Sequence, residues 1–440
     1  MMAAAVARAI ACLVAFLILR LFRGSRVSVS KPAGLPASFP ERVEIMDKQK
    51  EIVILSGART AIGRFGGMFR DLLANQLAIP VAQEVLTRAG VDKEDLGDVI
   101  MGCCIQRSDE PNLARIVALR AGIPFTTPAY TLTRQCASGM QAVTSAAMAI
   151  MTGQYDVALA GGAESMSNGP YVLKTARWGQ RLQHGQMTDS VWETLVDPIP
   201  GMIMGQTAEI LAEEFGITRE EQDQLAYTSN QRASAARDNG TFTDEIVPIM
   251  LPQKKGDPKK LDRDEHPRPD ASIESLGRLP AIFKKGGTVT AGNASGMNDA
   301  AAFVVVAGAD WAEKKGLTPI ARLVDWTVAG VEPERMGFGP VPAVRKLLER
   351  NNLTLDDIEL VELNEAFAAQ YIACERALGL NREITNVHGS GIALGHPVGC
   401  TGVRIMVTLI NEMRRRGAKR GIATLCVGGG MGIASLIEAV

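Results

Sequence analysis

Cys136 stands in Thr133-Arg134-Gln135-Cys136-Ala137-Ser138-Gly139, where a β-rich stretch gives way to a run with helical spacing. A thiol at a helix N-terminus feels the positive end of the dipole, which lowers its pKa and raises the thiolate fraction. The small side chains that follow leave room for a substrate. A covalent nucleophile is one reading, and a buried structural thiol is the other. His396 lies in Gly395-His396-Pro397-Val398-Gly399, a tight turn that exposes an imidazole at the mouth of a sheet. Only 4 histidines occur, so each is weighed singly. His184 and His266 read as satisfied loop residues, and His388 is intermediate. Cys426 precedes Gly428-Gly429-Gly430, a strand end opening into backbone N–H groups that approach a ligand. The glycines open no long helix and no acidic residue follows at the right spacing, so a dinucleotide site fits poorly. Asn364-Glu365 follows an apolar strand. It is either a helix N-cap or a polar group at the carboxyl edge of a sheet, where α/β sites form. Cys103, Cys104 and Cys374 read as small core residues, and Cys400 receives no role.

The elements that must position these groups follow from periodicity. Strands are expected at Glu51–Leu55 (ending in a turn at Ser56-Gly57), Asp98–Met101 and Asp156–Ala160 (ending at Gly161-Gly162). Others are expected at Ala300–Val306, Ala321–Trp326, Ile358–Leu363 and Gly421–Val427. Helices are expected at Leu77–Ala89 with Gly90 as C-cap, and at Ala137–Met151 with Met140, Val143, Ala147 and Met148 on one face. Further helices are expected at Ala208–Phe215, Arg219–Ala235, Val341–Arg350 and Val403–Met413. Thr218 and Glu221 form a capping box before Arg219. The alternation predicts a parallel sheet between helical layers. Segment 166–292 breaks the rhythm with glycine, proline and charge. An excursion that long is read as holding a ligand. A weak repeat, Gln135–Gly139 and Gly399–Gly402, each before a helix and a strand into glycines, predicts two similar sheet domains.

The chain has 440 residues, 46% hydrophobic and 22% charged, with a net charge of −1. Compositional disorder is excluded, and no basic field draws the chain to nucleic acid or anionic lipid. Abundant Gly (44) and Met (18) with 5% aromatics favour a tightly packed α/β enzyme over a β-sandwich. Seven cysteines without a C-x-x-C pair argue against disulfides and zinc and for a reducing compartment. Residues 1–40 hold five basic and no acidic residues around an apolar run, Ala9–Leu19, too short to span a bilayer. Three readings compete: a secretory segment, an organellar transit segment, or an upstream stretch with Met46 as the working start. The last is preferred. It puts the protein in the cytoplasm, with the mitochondrial matrix as the alternative if residues 1–45 are a transit segment.

Together the motifs resemble the thiolase family. They are Gly57-Ala58-Arg59-Thr60 with Phe65-Gly66-Gly67, Gln135-Cys136-Ala137-Ser138-Gly139, and Gly287 to Gly296. Asn364-Glu365-Ala366-Phe367, Gly395-His396-Pro397 and Cys426 to Gly432 complete the set. The resemblance runs from about Asp47 to the C-terminus. It implies a thiolase-like α/β fold, layered α-β-α-β-α. Its domains are 47–165 with 293–317, a CoA-binding loop domain at 166–292, and 318–440, after an extension at 1–46. It implies reversible condensation of acetyl-CoA, or CoA-dependent thiolysis of 3-oxoacyl-CoA, through an acyl-Cys136. By resemblance Cys426 is the acid/base, His396 activates Cys136 and donates into one oxyanion hole, and Asn364 orients a water there. The Cys136 and Gly428 N–H groups make the second hole. A thiol suits acid/base work because its unperturbed pKa is about 8.5. Met204, Arg268, Ser275, Phe283, Ser295, Ala366 and Phe367 are the implied CoA contacts. The resemblance implies no metal and no cofactor beyond the CoA thioesters. Partners are acyl-CoA, acetyl-CoA and free CoA, in a homodimer or homotetramer with no nucleic acid and no stable membrane span. Ile203 stands before Met204 where acetoacetyl-specific members carry histidine, which argues against strict short-chain specificity. His388 replaces an asparagine, and Cys400 a smaller residue. The alternatives are a decarboxylating 3-oxoacyl synthase, which would lack a second catalytic cysteine, and a non-catalytic acyl-CoA or lipid carrier.

Overall fold

The structure is a computed structural model that describes residues 50–182, 184–253 and 255–440. The readings of residues 1–46, Met46 among them, lie outside the described residues. The main strands are β1 (Ile52–Arg59), β2 (Asp98–Gly102), β3 (Ala129–Leu132), β4 (Val157–Ser165), β5 (Asn298–Gly308), β6 (Ala321–Gly330), β7 (Leu360–Leu363), β8 (Arg420–Val427) and β9 (Met431–Glu438). They form one sheet in the order β7-β8-β9-β6-β1-β5-β4-β2-β3, with Gly63–Arg64 paired to β5.

The α/β expectation holds, but the sheet is mixed. β3, β2 and β4 are parallel, whereas β5 and β1 are antiparallel to their neighbours. β7 and β8 are parallel, whereas β9 and β6 are antiparallel. Parallel pairing needs a helical crossover, and these returning strands follow turns and the long excursion instead. The two series run alike, parallel strands and then two antiparallel ones, although the second has one parallel strand fewer. They meet where β1 pairs with β6, Ile52 opposite Leu323.

Helices α1 (Ala74–Ala89), α2 (Ser138–Met151), α3 (Met204–Glu214), α4 (Arg219–Asp238), α5 (Pro340–Asn351), α6 (Ala368–Leu378) and α7 (Val398–Arg416) accompany the sheet. Gly90 caps α1 at φ 64°, with its N–H on Leu86 and Thr87 carbonyls. Thr218 and Glu221 make the expected capping box on α4. Helix α7 buries 15 of its 19 residues, so it lies inside the molecule rather than on its surface. It meets α2 almost backbone to backbone. A Cβ on Gly139 would sit 2.9 Å from the Gly399 carbonyl, and one on Gly402 would sit 2.6 Å from the Met140 nitrogen.

Three local expectations are corrected. Ser56-Gly57 is no turn: β1 runs through it to Arg59 with a register shift after Ile54. Gly161-Gly162 lies inside β4, because Phe303 and the Gly399 carbonyl take the space of any side chain. Met148 is 44% exposed, turned away from the face that Met140, Val143 and Ala147 bury. The excursion is tied to β1 by the fully buried Arg59, which donates to Glu245 (2.6 Å) and to both Asp264 oxygens (2.7 and 2.9 Å).

Candidate active site

Cys136 sits between β3 and α2 on a strained turn. Gln135 adopts φ 45°, a left-handed conformation rare for a side chain of its size. Ser138 Oγ holds the turn, accepting from Arg134 N–H (2.9 Å) and donating to the Gln135 carbonyl (2.6 Å). The thiol faces its own N–H and that of Gly428. It also packs against a small apolar cluster of Ile105, Met166, Val191 and Val398. Its pKa departs from expectation: burial pushes it up to about 11, and the two N–H groups only partly offset this. Helix position alone predicts the opposite sign. Desolvation penalises the anion over the whole sulfur surface, while the dipole acts from one side.

His396 is buried on the turn before α7. Asn298 Oδ1 accepts its backbone N–H (3.0 Å). Gly395 must be glycine, since φ is 101° and a Cβ would fall 2.4 Å from the Asn298 side chain. His396 Nδ1 lies 2.7 Å from Thr401 Oγ, and that hydroxyl donates to the Pro397 carbonyl (3.0 Å). With its single proton so used, Thr401 Oγ accepts from Nδ1–H. Nε2 therefore carries a bare lone pair, and it has no partner among the described residues. Burial and then Arg404 pull the imidazole pKa down to about 3, so the ring is neutral.

Asn364 is fully buried just past β7. Its Nδ2 lies 3.5 Å from His396 Nδ1, and its Oδ1 has no partner among the described residues. It is not a helix cap: Phe367 holds that place on α6. Glu365 anchors the turn, accepting from Ser229 (2.6 Å) and Asn386 (3.0 Å).

Cys426, the penultimate residue of β8, stands opposite Gly432 and is 1% exposed. Burial, and then the nearby Cys136 and Cys374, raise its pKa well above that of a free thiol. The unperturbed value near working pH does not survive burial. The glycine loop beyond it is a tight turn, with Gly429 at φ 82° and Gly430 at φ 76°. Asp197 Oδ2, from the excursion, accepts the Gly429 N–H (3.0 Å).

Of the implied CoA contacts, Met204 reaches this centre at Gly428, and Phe283, Phe367, Ala366 and Ser295 follow from it in series. Met204, at the head of α3, has its sulfur 3.7 Å from where a Gly428 Cβ would stand. The next residue, Gly205, leaves its side-chain space to Phe283, and Phe283 meets Phe367 edge to face at 6.1 Å. Ser295 N–H donates to the Ala366 carbonyl (2.9 Å). Ser275 spends its hydroxyl capping its own short helix, donating to Ser272 O (2.8 Å). Arg268 is exposed and next to Arg64, and among the described residues no carboxylate lies within ion-pair distance of either. Two guanidinium groups so placed suit a phosphate.

Other residues move from their expected places. His266 lies on a loop with a partner, as read, but that loop is buried: it is 7% exposed, with Nδ1 3.3 Å from Asn298 Nδ2 and its pKa lowered to about 4 by burial. His388 pairs with Glu412 at the far end of α7 (2.7 Å), away from His396, while His184 is exposed as expected. Cys104 is only partly buried, its thiol 3.0 Å from Gln135 Oε1. Cys103, Cys374 and Cys400 are buried. Sequence reasoning missed Asn298, Thr401, Asp197 and Glu164. Asn298, three residues beyond Ser295, carried a signal in its closeness to a quoted motif; the others carried none. Among the described residues no group of three or more His, Cys, Asp or Glu is placed to hold a metal, and no helix is long and apolar enough to cross a membrane.

Residues 52–310 match the family description "Thiolase, N-terminal domain", and residues 317–439 match "Thiolase, C-terminal domain". An "Acetyl-CoA acetyltransferase" of Syntrophomonas wolfei is 47% identical over 396 residues, 89% of this chain and 100% of the relative. "Beta-ketothiolase BktB" of Cupriavidus necator is 47% identical over 395 residues, 89% of this chain and 100% of the relative. Among solved structures, the Bacillus anthracis acetyl-CoA acetyltransferase aligns at TM-score 0.88 and 52% identity, covering 89% and 99% of the two chains. Human mitochondrial 3-ketoacyl-CoA thiolase in complex with CoA aligns at 0.86 and 44%, covering 89% and 98%.

Proposed function

The chain belongs to the thiolase family and is an acyltransferase acting on CoA thioesters, and we propose that it works through an acyl-thioester on Cys136. The observation that carries this is a pair of buried polar atoms without partners among the described residues, His396 Nε2 and Asn364 Oδ1, in a fold that also turns the Cys136 thiol toward two N–H groups. Orphaned buried polar atoms cost stability, and a ligand or water that pairs with them repays it.

Cys136 attacks the acyl carbonyl while Nε2 takes its proton. The same Nε2–H then donates to the oxyanion, with a water held by Asn364. Departing CoA takes a proton from the Cys426 thiol and leaves as a thiol, so Cys426 becomes the thiolate, while Nε2 keeps its proton until the Cys136 thiolate is released. In thiolysis the C–C bond breaks to an acetyl-CoA enolate, and the Cys426 thiol returns the proton to its carbon. Free CoA then releases the acyl group from Cys136. Condensation runs the same steps in reverse, with Cys426 as thiolate removing the α-proton. The N–H groups of Cys136 and Gly428 form the second hole. Both cysteines start as thiols, so proton transfer accompanies substrate binding rather than preceding it.

CoA lies along Met204, Phe283, Phe367, Ala366 and Ser295, under the excursion 166–292. Arg268 meets a phosphate, and Ser275 adjoins the nucleotide through its backbone. Ile203 leaves room for acyl chains longer than acetyl. The CoA thioesters suffice without another cofactor. A homodimer or homotetramer is supported by the unpaired edge strand β3 and by exposed Tyr130 and Phe125 beside it. Sedimentation measures it. Two working thiols support a reducing, cytoplasmic setting, which cell fractionation tests.

The test is thiolysis of acetoacetyl-CoA and 3-oxooctanoyl-CoA with free CoA, followed by loss of the 3-oxoacyl absorbance. Activity on both that vanishes in Cys136→Ala supports the proposal. Activity surviving in Cys136→Ala removes the covalent route. Turnover of acetoacetyl-CoA alone removes the reading of Ile203.

A further inference from the structure

Glu164 lies in the penultimate position of β4 and is 1% exposed. Its Oε1 accepts from Ile105 N–H (3.1 Å), with the Cys103 thiol 3.6 Å away. Its Oε2 accepts from Cys104 N–H (2.9 Å) and from Gly399 N–H (2.9 Å). Among the described residues no cation lies within ion-pair distance of it. The carboxylate is thus spent on two chain segments rather than on a counter-charge. One segment, Cys103–Ile105, touches the nucleophile turn, because the Cys104 thiol meets Gln135 Oε1 at 3.0 Å. The other is the first turn of α7, three residues beyond His396. Gly399 makes room for this contact: a Cβ there would lie 2.7 Å from Oε2.

We propose that Glu164 is a positioning residue whose carboxylate clamps the His396 turn against the Cys136 turn, setting base to nucleophile across the two halves of the sheet. This rests on the reading of Cys136 and His396 as nucleophile and base. The two turns lie 260 residues apart in sequence, and no covalent feature fixes their spacing. A carboxylate can bind both because each oxygen accepts more than one N–H, and anions are favoured at a helix N-terminus. Glutamine keeps the size but replaces one acceptor oxygen with a donor, which must then face an N–H. Loss of an ångström in such a pair costs about 10²-fold in rate.

The test compares wild type, Glu164→Gln and Gly399→Ala in the rate of Cys136 acylation, in KM for CoA and in iodoacetamide alkylation of Cys136. The expected result is acylation slowed at least about tenfold in both variants, with KM changed less than about threefold. KM holds because the CoA contacts lie on other segments. Alkylation, which needs no base, is not slowed in Glu164→Gln. A folded Glu164→Gln that acylates at the wild-type rate overturns the proposal. If that variant does not fold, Gly399→Ala decides, since it keeps the carboxylate and crowds it at 2.7 Å, with lesser contacts on Cys103 Cα (3.0 Å) and the Ala163 carbonyl (3.1 Å). Failure of both to fold counts for a structural role and against positioning. A wild type that forms no acyl-enzyme refutes the function proposal itself, an outcome distinct from any of these.

Discussion

Alkylation of Cys136 by an uncharged reagent such as iodoacetamide reports its thiolate fraction directly, since only the thiolate reacts. Burial places the pKa at about 11. At pH 8 a thiol with that pKa is about 0.1% ionised, against about 24% for a free cysteine of pKa 8.5. The unliganded enzyme therefore alkylates at Cys136 roughly 240-fold more slowly than a model thiol at pH 8. The rate climbs about tenfold per pH unit to pH 10, without a plateau. His396→Asn leaves this profile in place, because a ring whose pKa is about 3 is too weak a base to hold the proton at rest. The assay follows label on the Cys136 peptide by mass spectrometry from pH 6 to 10.5, with Cys136→Ala as blank. A plateau at or below pH 8 that disappears in His396→Asn would refute the reasoning. It would mean a resting thiolate–imidazolium pair, with dipole and partner outweighing desolvation.

Thr401→Val strands the Nδ1–H of His396; a buried donor left unpaired costs about 1–3 kcal/mol, so kcat falls about 5- to 150-fold, while Thr401→Ser stays close to wild type in the thiolysis assay. Asn364→Ala lowers kcat about 10²–10³-fold with little change in KM, the usual cost of one oxyanion contact, read in the same assay. Arg59→Ala leaves Glu245 and Asp264 buried without their partner and costs about 3–5 kcal/mol, measured by denaturant unfolding. For acid stability the sign follows from His266, whose folded pKa of about 4 lies below its unfolded value of about 6.5. The unfolded chain takes up the proton first, so stability is intact above pH 6.5 and is lost as pH falls toward 4. His266→Gln flattens the fall in Tm between pH 6.5 and 4, and an unchanged slope would assign that loss elsewhere.

Local chemistry was legible in the sequence wherever the cause lay within a few residues. The Thr218–Glu221 box, the left-handed Gly90 and the β-branched strands act over one turn or one strand, and the structure places them as read. Cys136, His396, Cys426 and Asn364 could be singled out as candidates too, because each stands in a short motif at the end of a strand or the start of a helix. Tertiary structure alone decided what surrounds them. The pKa of Cys136 and Cys426 follows from desolvation by segments hundreds of residues apart, and its sign opposed the local dipole argument. The tautomer of His396 depends on Thr401, its backbone on Asn298, and its spacing to Cys136 on Glu164. These are ordinary polar residues until the chain folds. Strand direction is likewise a property of how the chain returns, so the alternation of elements could not distinguish the mixed sheet from a parallel one. Sequence by itself singled out the groups proposed to carry the chemistry, because residue type and short-range motifs are written in it. Only the fold determined their protonation and alignment, because burial and hydrogen bonding sum over neighbours that sequence order does not bring together.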